Sequence, residues 1–275
     1  MEYNIKIQDV GEGFWEKLNS KGFKFHRQTD GIIYKYVSFE TAKIILKNSS
    51  LLYSNPNTFN DPFDLTVDLI NTEISKEEMI QLINEEFIAN ADEKNRIIEY
   101  NINNPDFLAS TFKNTLHETK SQIGITCFSK SYMKSLMWSH YADKHSGLCL
   151  GFSFKEINRN YLLQLAIKYS THIEQIYYIK DTVFSIYNWL FTKSDIWNYE
   201  EEVRRVYLDR NGVIPFEKDE LVEIYYGLSL PNENITEIQN MLTDYSITKQ
   251  SKMKMNPNTF NLIEEELINK KTTNG

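Results

Sequence analysis

Trp197-Asn198-Tyr199-Glu200-Glu201-Glu202-Val203-Arg204 places an aromatic-rich lead ahead of three adjacent carboxylates and an arginine. Read as a strand, the period of two puts Glu200, Glu202 and Arg204 on one face, two carboxylates and a guanidinium a few ångströms apart. Crowded carboxylates raise one another's pKa and a neighbouring arginine lowers it, and sites use such opposing perturbations to place a base or an electrostatic clamp. The same residues would also make a solvated strand face knit by an ion pair.

Upstream, Gly31 to Val37 is β-branched and aromatic and reads as a strand; Ser38 then caps a helix with Phe39, Ala42, Ile45 and Leu46 at helical spacing. Leu51 to Ser54 reads as a short strand closed by the loop Asn55 to Asp64, stiffened by Pro56 and Pro62. From about 75 to 120 the pattern is polar and helical, with Ile74, Met79, Leu82, Ile83, Phe87, Phe107, Leu108, Phe112 and Leu116 as its apolar stripe, and is expected to be a helical insertion or lid. Strand patterns return at Ile123 to Ser129, at Gly147 to Phe152 and at Leu221 to Gly227, with helices expected over Leu136 to Lys144, Asp181 to Lys193 and Glu233 to Thr243. The expected organisation is an N-terminal flank (1–30), a single α+β domain (31–245) and a polar, loose tail (246–275).

Hydrophobic residues at 41% and charged residues at 25% match an ordinary globular chain. A formal charge of −8 excludes the broad basic footprint of sequence-independent nucleic-acid binding. Two cysteines, Cys127 and Cys149, and an opening stretch without the layout of a signal peptide point to a reducing cytoplasm, and no apolar run has the roughly 18–20 residues of a membrane span.

The run Trp138 to Gly147 gathers aromatic, hydroxyl and imidazole groups. His145, at the exit of a helix, suits a C-terminal cap, and His140 suits a satisfied histidine beside the core. Their spacing to Cys127 and Cys149 matches no compact zinc template, and no metal is expected. Both thiols lie in apolar strand patterns, where cysteine behaves as a small hydrophobe. With 10 glycines and no phosphate-loop or dinucleotide motif, any nucleotide must be held another way.

Tyr34-Lys35-Tyr36 with Ser38, Phe59-Asn60-Asp61-Pro62-Phe63-Asp64, Cys127-Phe128-Ser129, Met137-Trp138-Ser139-His140-Tyr141-Ala142, His145-Ser146-Gly147, and then Lys193, Trp197, Tyr199-Glu200, Glu202, Arg204 and Tyr226-Gly227 together resemble the bacterial domain of unknown function 2971. The resemblance runs from about Tyr34 to Met241. That family is in turn similar in layout to the ADP-ribosyltransferase-like fold, a split antiparallel β-sheet that cleaves NAD. This second resemblance implies a split-sheet α+β core with NAD as substrate and a protein or nucleic-acid acceptor. It assigns Glu202 as the catalytic glutamate and Glu200 as its substrate-orienting partner. Lys35, where the fold often has His or Arg, together with Tyr36, Ser129, Trp138, Tyr141 and Arg204, would bind the cofactor, with Arg204, Lys35 or Lys193 offsetting the pyrophosphate. A setting in phage defence or a toxin system goes with it. Two other classes remain open: a binding module for a nucleotide or phage component, and a magnesium nuclease using Glu200, Glu202 and an Asp of the 60–64 loop.

Overall fold

The computed structural model describes residues 20, 31–87, 89–155, 162–172, 176–177 and 182–267. The expected first strand is β1 (Ile33–Val37), and Ser38 caps α1 (Phe39–Asn48) by accepting a bond from the Thr41 amide. β2 (Ser50–Tyr53) and β3 (Ile70–Asn71) then flank the proline-bearing loop. The polar region from 75 to 120 is three helices, α2 (Lys76–Glu86), α3 (Ala91–Asn103) and α4 (Asp106–Gln122). Ser75 and Asn90 start the first two through reciprocal capping boxes with Glu78 and Glu93, which satisfy amides that the first turn leaves unpaired.

β4 (Gly124–Ser129), α5 (Ser135–Tyr141), β5 (Leu148–Phe152), β6 (Leu162–Ala166), β7 (Lys168–Ser170) and β8 (Ile176–Tyr177) follow. Next come α6 (Thr182–Phe191), β9 (Thr192–Ser194), β10 (Glu202–Tyr207), β11 (Gly212–Pro215), β12 (Leu221–Tyr226), α7 (Asn232–Met241), β13 (Lys249–Met255) and β14 (Leu262–Glu266). Eight of these strands form one sheet in the order β14-β13-β12-β5-β1-β4-β10-β6, antiparallel throughout except where β13 runs parallel to β12. The fold is therefore mixed α+β around a large, mainly antiparallel sheet. The expected domain limit at residue 30 and the start of the helix at Asp181 lie outside the described residues.

Alternation along the strands divides the sheet into two faces. Val203, Phe128, Leu162, Ala166, Ile33, Leu150 and Tyr226 point into one core, where α1 and α7 bring Ile45, Leu46, Ile235 and Ile238. On the opposite face, Ile125, Leu163, Leu165 and Val206 meet Met79, Ile83, Leu108, Phe112 and Leu116 of the three helices and Leu190 of α6. The 75–120 region thus contributes a packed layer, because its apolar stripe has a sheet face to cover. The same face of β1, β5 and β12 carries a separate aromatic cluster in which Tyr34, Tyr36, Cys149 and Tyr225 pack against Met137 and Trp138 of α5. Each fully buried large apolar side chain contributes about 1.5–3 kcal/mol.

β1 and β4 share a single registered pair, Tyr34 opposite Ser129, whereas β1 pairs with β5 over five. The sheet therefore opens at the β1/β4 junction. Lys35 crosses the gap and donates from Nζ to Thr126 Oγ1 at 2.9 Å and to the Cys127 carbonyl at 3.1 Å, where ladder bonds would otherwise run.

The polar tail expected from residue 246 is instead two strands on the sheet edge. Its polar residues are used: Gln250 accepts from the Tyr226 hydroxyl at 2.7 Å, Ser251 and Met253 are buried, and the outermost pair carries Lys249–Glu264 and Lys254–Glu265 contacts. Charges of this kind keep an edge strand from pairing with another chain.

The turn after α5 carries three successive residues with positive φ, Asp143 (47°), Lys144 (51°) and His145 (69°), and it is clamped by glycine contacts. The Gly227 amide donates to the Gly147 carbonyl at 2.9 Å, and a Cβ on Gly227 would lie 2.1 Å from the His145 carbonyl oxygen. Gly227→Ala is expected to destabilise the protein by about 1–3 kcal/mol, the range for overpacking a rigid contact. Guanidinium denaturation measures it; a midpoint equal to that of the wild type would contradict the close approach.

Candidate active site

Chain geometry breaks the expected strand at Glu201. Residues Asp195–Glu200 form a 3-10 helix, and Glu201 takes a left-handed conformation (φ 45°) with its amide bonded to the Asn198 carbonyl. β10 begins only at Glu202, so Glu202 and Arg204 share a strand face and Glu200 arrives from the turn before it. Glu200 and Glu202 still meet, through Lys193 of β9 just after α6 rather than through strand periodicity. Lys193 Nζ donates to Glu200 Oε2 at 2.6 Å and to Glu202 Oε2 at 2.9 Å.

Arg204 is fully buried beneath them. Its Nε donates to Glu202 Oε1 at 2.7 Å, its Nη1 to the Leu190 carbonyl at 2.9 Å, and its Nη2 to Asp64 Oδ2. Asp64 comes from the proline-bearing loop, which is folded by Asp61: its Oδ1 accepts from the Phe63 amide at 2.9 Å, its carbonyl from the Asp64 amide at 3.1 Å, and its Oδ2 from Trp197 Nε1 at 2.8 Å. Leu65 in the left-handed region (φ 56°) completes the bend that turns Asp64 inward.

Over this network lies a cavity of about 220 Å³ at the opening between β1 and β4. Tyr34, Lys35, Tyr36, Ser129, Tyr141, Lys193, Glu200 and Glu202 line it, joined by Phe59, Asn60, Asp64, Cys127, Phe128 and Met137. Tyr141 donates to Glu200 Oε1 at 2.6 Å, and the Tyr169 hydroxyl accepts from the Glu202 amide at 2.8 Å. A second cavity of about 290 Å³, lined by Lys168, Ser170, Thr171, His172, Trp189 and Ser194 among others, shares Lys193 with the first.

Two residues expected at the cofactor do not reach the cavity. Trp138 is wholly buried in the aromatic cluster, with its Nε1 donating to the Tyr132 carbonyl at 2.7 Å and its ring edge-on to Tyr36 at 5.2 Å, so its role is packing. Arg204 lies below the floor with three donors already engaged, and it acts on a ligand only by holding Glu202 and Asp64. Lys193 is likewise engaged by the two glutamates. His145 lies flat against Trp138 and bonds Ser139 Oγ at 3.0 Å through Nε2, and His140 meets the Tyr199 hydroxyl at 3.2 Å; neither lines the cavity.

The two glutamates titrate in opposite directions. Burial opposes ionisation of Glu202, but Arg204 and Lys193 outweigh it and lower its pKa from 4.5 to about 2. Burial raises Glu200 above its usual value, against the pull of Lys193 and the Tyr141 hydroxyl, with the Glu202 charge adding to the rise. Burial also pulls the Lys35 ammonium below its usual value and pushes the Cys127 thiol well up, which leaves Cys127 an unreactive wall.

The model of a family described as a protein of unknown function, DUF2971, matches residues 137–205. Over that stretch the chain resembles the DUF2971 family. The matched residues include Tyr141, Lys193, Glu200, Glu202 and Arg204; Lys35 and Asp64 enter the cavity from outside it. No curated protein and no solved structure matches the chain. Among the described residues, no helix is long and apolar enough to cross a membrane.

Removing Arg204 leaves Glu202 and Asp64 buried without their shared cation, so Arg204→Met is expected to lose about 3–5 kcal/mol at pH 7. The pH dependence has a definite sign. The depressed pKa of Glu202 gives the wild type a contribution that is complete above pH 4.5 and disappears as pH falls towards about 2. The variant lacks most of that contribution, so the gap between the two proteins should narrow as pH falls from 4.5 towards about 2, the window between the unfolded and folded pKa values of Glu202. Urea denaturation across that range tests it; a gap constant with pH would show that Arg204 stabilises by packing alone.

Proposed function

We propose that this cavity cleaves NAD at the bond between nicotinamide and ribose and passes the ADP-ribosyl group to an acceptor, as an ADP-ribosyltransferase-like enzyme. The observation that carries the reading is the pairing, on one small cavity, of Glu202, whose pKa Arg204 and Lys193 hold low, with Glu200, whose pKa burial raises. Carboxylates whose environments separate their pKa values divide the work of electrostatic stabilisation and proton transfer.

The step balances as follows. The C–N glycosidic bond breaks with both electrons leaving on nicotinamide, which departs neutral, and the positive charge passes to the ribosyl carbon and ring oxygen. Glu202, anionic at any physiological pH, stabilises that oxocarbenium charge. A lone pair of the acceptor, water or a nucleophile of a protein or nucleic acid, forms the new bond, and its proton goes to Glu200. Tyr141 orients Glu200 through its 2.6 Å bond.

Shape and charge agree with this use. Three carboxylates, Asp64, Glu200 and Glu202, gather at the cavity and engage Lys193 and Arg204, so a ligand that develops positive charge there meets carboxylate oxygens. Tyr34 and Phe59 supply aromatic surface and Met137 an apolar side chain for a pyridinium ring. At about 220 Å³ the cavity is smaller than the roughly 300–1,000 Å³ of sites that enclose a drug-sized ligand, and it takes the nicotinamide riboside portion. In this reading the ADP portion extends into the second cavity, which shares Lys193 and carries Lys168, Ser170, Thr171 and Ser194.

The magnesium-nuclease reading is less favoured because the three carboxylates already bind Arg204, Lys193 and Tyr141. Among the described residues no group of three His, Cys, Asp or Glu side chains is arranged to hold a metal ion.

Nicotinamide release from NAD by the purified protein, with and without bacterial lysate, tests the proposal. Glu202→Gln is expected to lower kcat by about 100-fold or more. Glu200→Gln is expected to remove the acidic limb of the pH–rate profile, since the wild-type rate rises as Glu200 ionises above pH 4.5. Full turnover in Glu202→Gln, or activity abolished by a chelator, would overturn the assignment.

A further inference from the structure

Asp64 is the wall residue whose hydrogen bonding is incomplete. Its side chain is 3% exposed, Oδ2 is held by Arg204, and Lys193 Nζ is 3.9 Å from that same oxygen. Oδ1 is buried and has no hydrogen-bond partner, although Asp64 lines the cavity. Leaving a buried carboxylate oxygen unpaired is costly, so an acceptor kept in this state at a cavity wall is set for a donor that arrives with the ligand.

We infer that Asp64 is a ligand-recognition residue whose Oδ1 accepts a hydrogen bond from a hydroxyl of the ribosyl group bound in the cavity. The class of ligand follows from the frame. One guanidinium holds Glu202 on Nε and Asp64 on Nη2, nitrogens bonded to the same carbon, so the two carboxylates are neighbours at the cavity. Glu202 faces the carbon that becomes positive, and the 2′ hydroxyl on the adjacent carbon and the 3′ hydroxyl beyond it are the ring donors on that side of the sugar. Tyr34, Tyr36 and Tyr141 cannot satisfy Oδ1, because their hydroxyls already donate to Glu223, Ser131 and Glu200. The inference rests on the proposed function for the identity of the ligand and is independent of whether the bond is cleaved.

The test uses ADP-ribose, which keeps the ribosyl group and has no nicotinamide to lose, and its counterparts lacking the 2′ or the 3′ hydroxyl on the terminal ribose. Calorimetric titration of the wild-type protein is expected to show one of the two deoxy ligands binding about tenfold more weakly than ADP-ribose, the size of one hydrogen bond to a charged acceptor. In Asp64→Asn the carbonyl must turn to Arg204, which only donates, and the amide then faces the cavity; the tenfold preference is expected to shrink to less than about twofold. Equal binding of all three ligands to the wild type, no binding of ADP-ribose, or an unchanged preference in Asp64→Asn would each overturn the inference. Should Asp64→Asn fail to fold, Asp64→Glu, which keeps the charge for Arg204 and displaces the second oxygen, takes its place with the same shrinkage expected, and an unchanged preference in it would equally overturn the inference. Absent nicotinamide release with the hydroxyl preference intact would remove the catalytic reading and leave Asp64 as a recognition residue.

Discussion

One buried guanidinium sets the geometry of this protein. Arg204 has no exposed surface, and an arginine in that position is tolerated only if its charge is matched and its donors are used. The partners come from three elements: Glu202 two residues away on β10, the carbonyl of Leu190 at the end of α6, and Asp64 in the loop after β2. No one of these can shift without leaving a charge or a donor unpaired in a medium of low dielectric. The loop, the helix end and the strand are therefore fixed relative to one another, and their exposed edges become the cavity wall.

That arrangement also explains why neighbouring glutamates behave differently. Glu202 is reached by both cations and stays ionised; Glu200 shares only Lys193 and is buried against the Glu202 charge, so its proton is harder to remove. The left-handed Glu201 produces the difference, since it takes Glu200 off the strand and away from Arg204. An uninterrupted strand would have given the two carboxylates similar surroundings and similar acidity.

Local patterns carried most of the fold. Apolar strand patterns marked β1, β4, β5 and β12, Ser38 marked the start of α1, and an apolar stripe at helical spacing marked the region from 75 to 120, because those signals arise from contacts within a few residues. The edge strands β13 and β14 were not legible, since their buried residues are Gln250, Ser251 and Met253, and a polar side chain shows its burial only through a distant partner such as Tyr226. The site was legible as a set of residue types more than as an arrangement. Glu200, Glu202, Lys35, Tyr36, Ser129 and Tyr141 do line one cavity. Trp138 and Arg204 were misplaced because composition cannot distinguish an aromatic that stacks on a ligand from one that fills a core, or a cation that meets a phosphate from one that holds a carboxylate. Asp64 had a sequence signal in its loop of Asn, Asp and Pro, but its distance of 140 residues from Arg204 hid the pairing.

The position of the cavity follows from the sheet. Strands β1 and β4 meet at one pair and then part, and a gap between strands exposes backbone groups that must be satisfied. Lys35 meets part of that need by bonding across the gap to Thr126 and Cys127. The cost is a lysine in surroundings that disfavour its charge, partly offset by the nearby Glu202. On one side of the gap α6 and the three helices from 76 to 122 cover the sheet, and on the other α5 and its aromatic cluster do so; neither layer crosses the gap. The opening in the sheet is thus also the opening in the layer above it. Ionised groups that the fold must anchor beneath that opening thereby come to line a cavity, and this is the condition in which a structural ion network can also serve as a binding site.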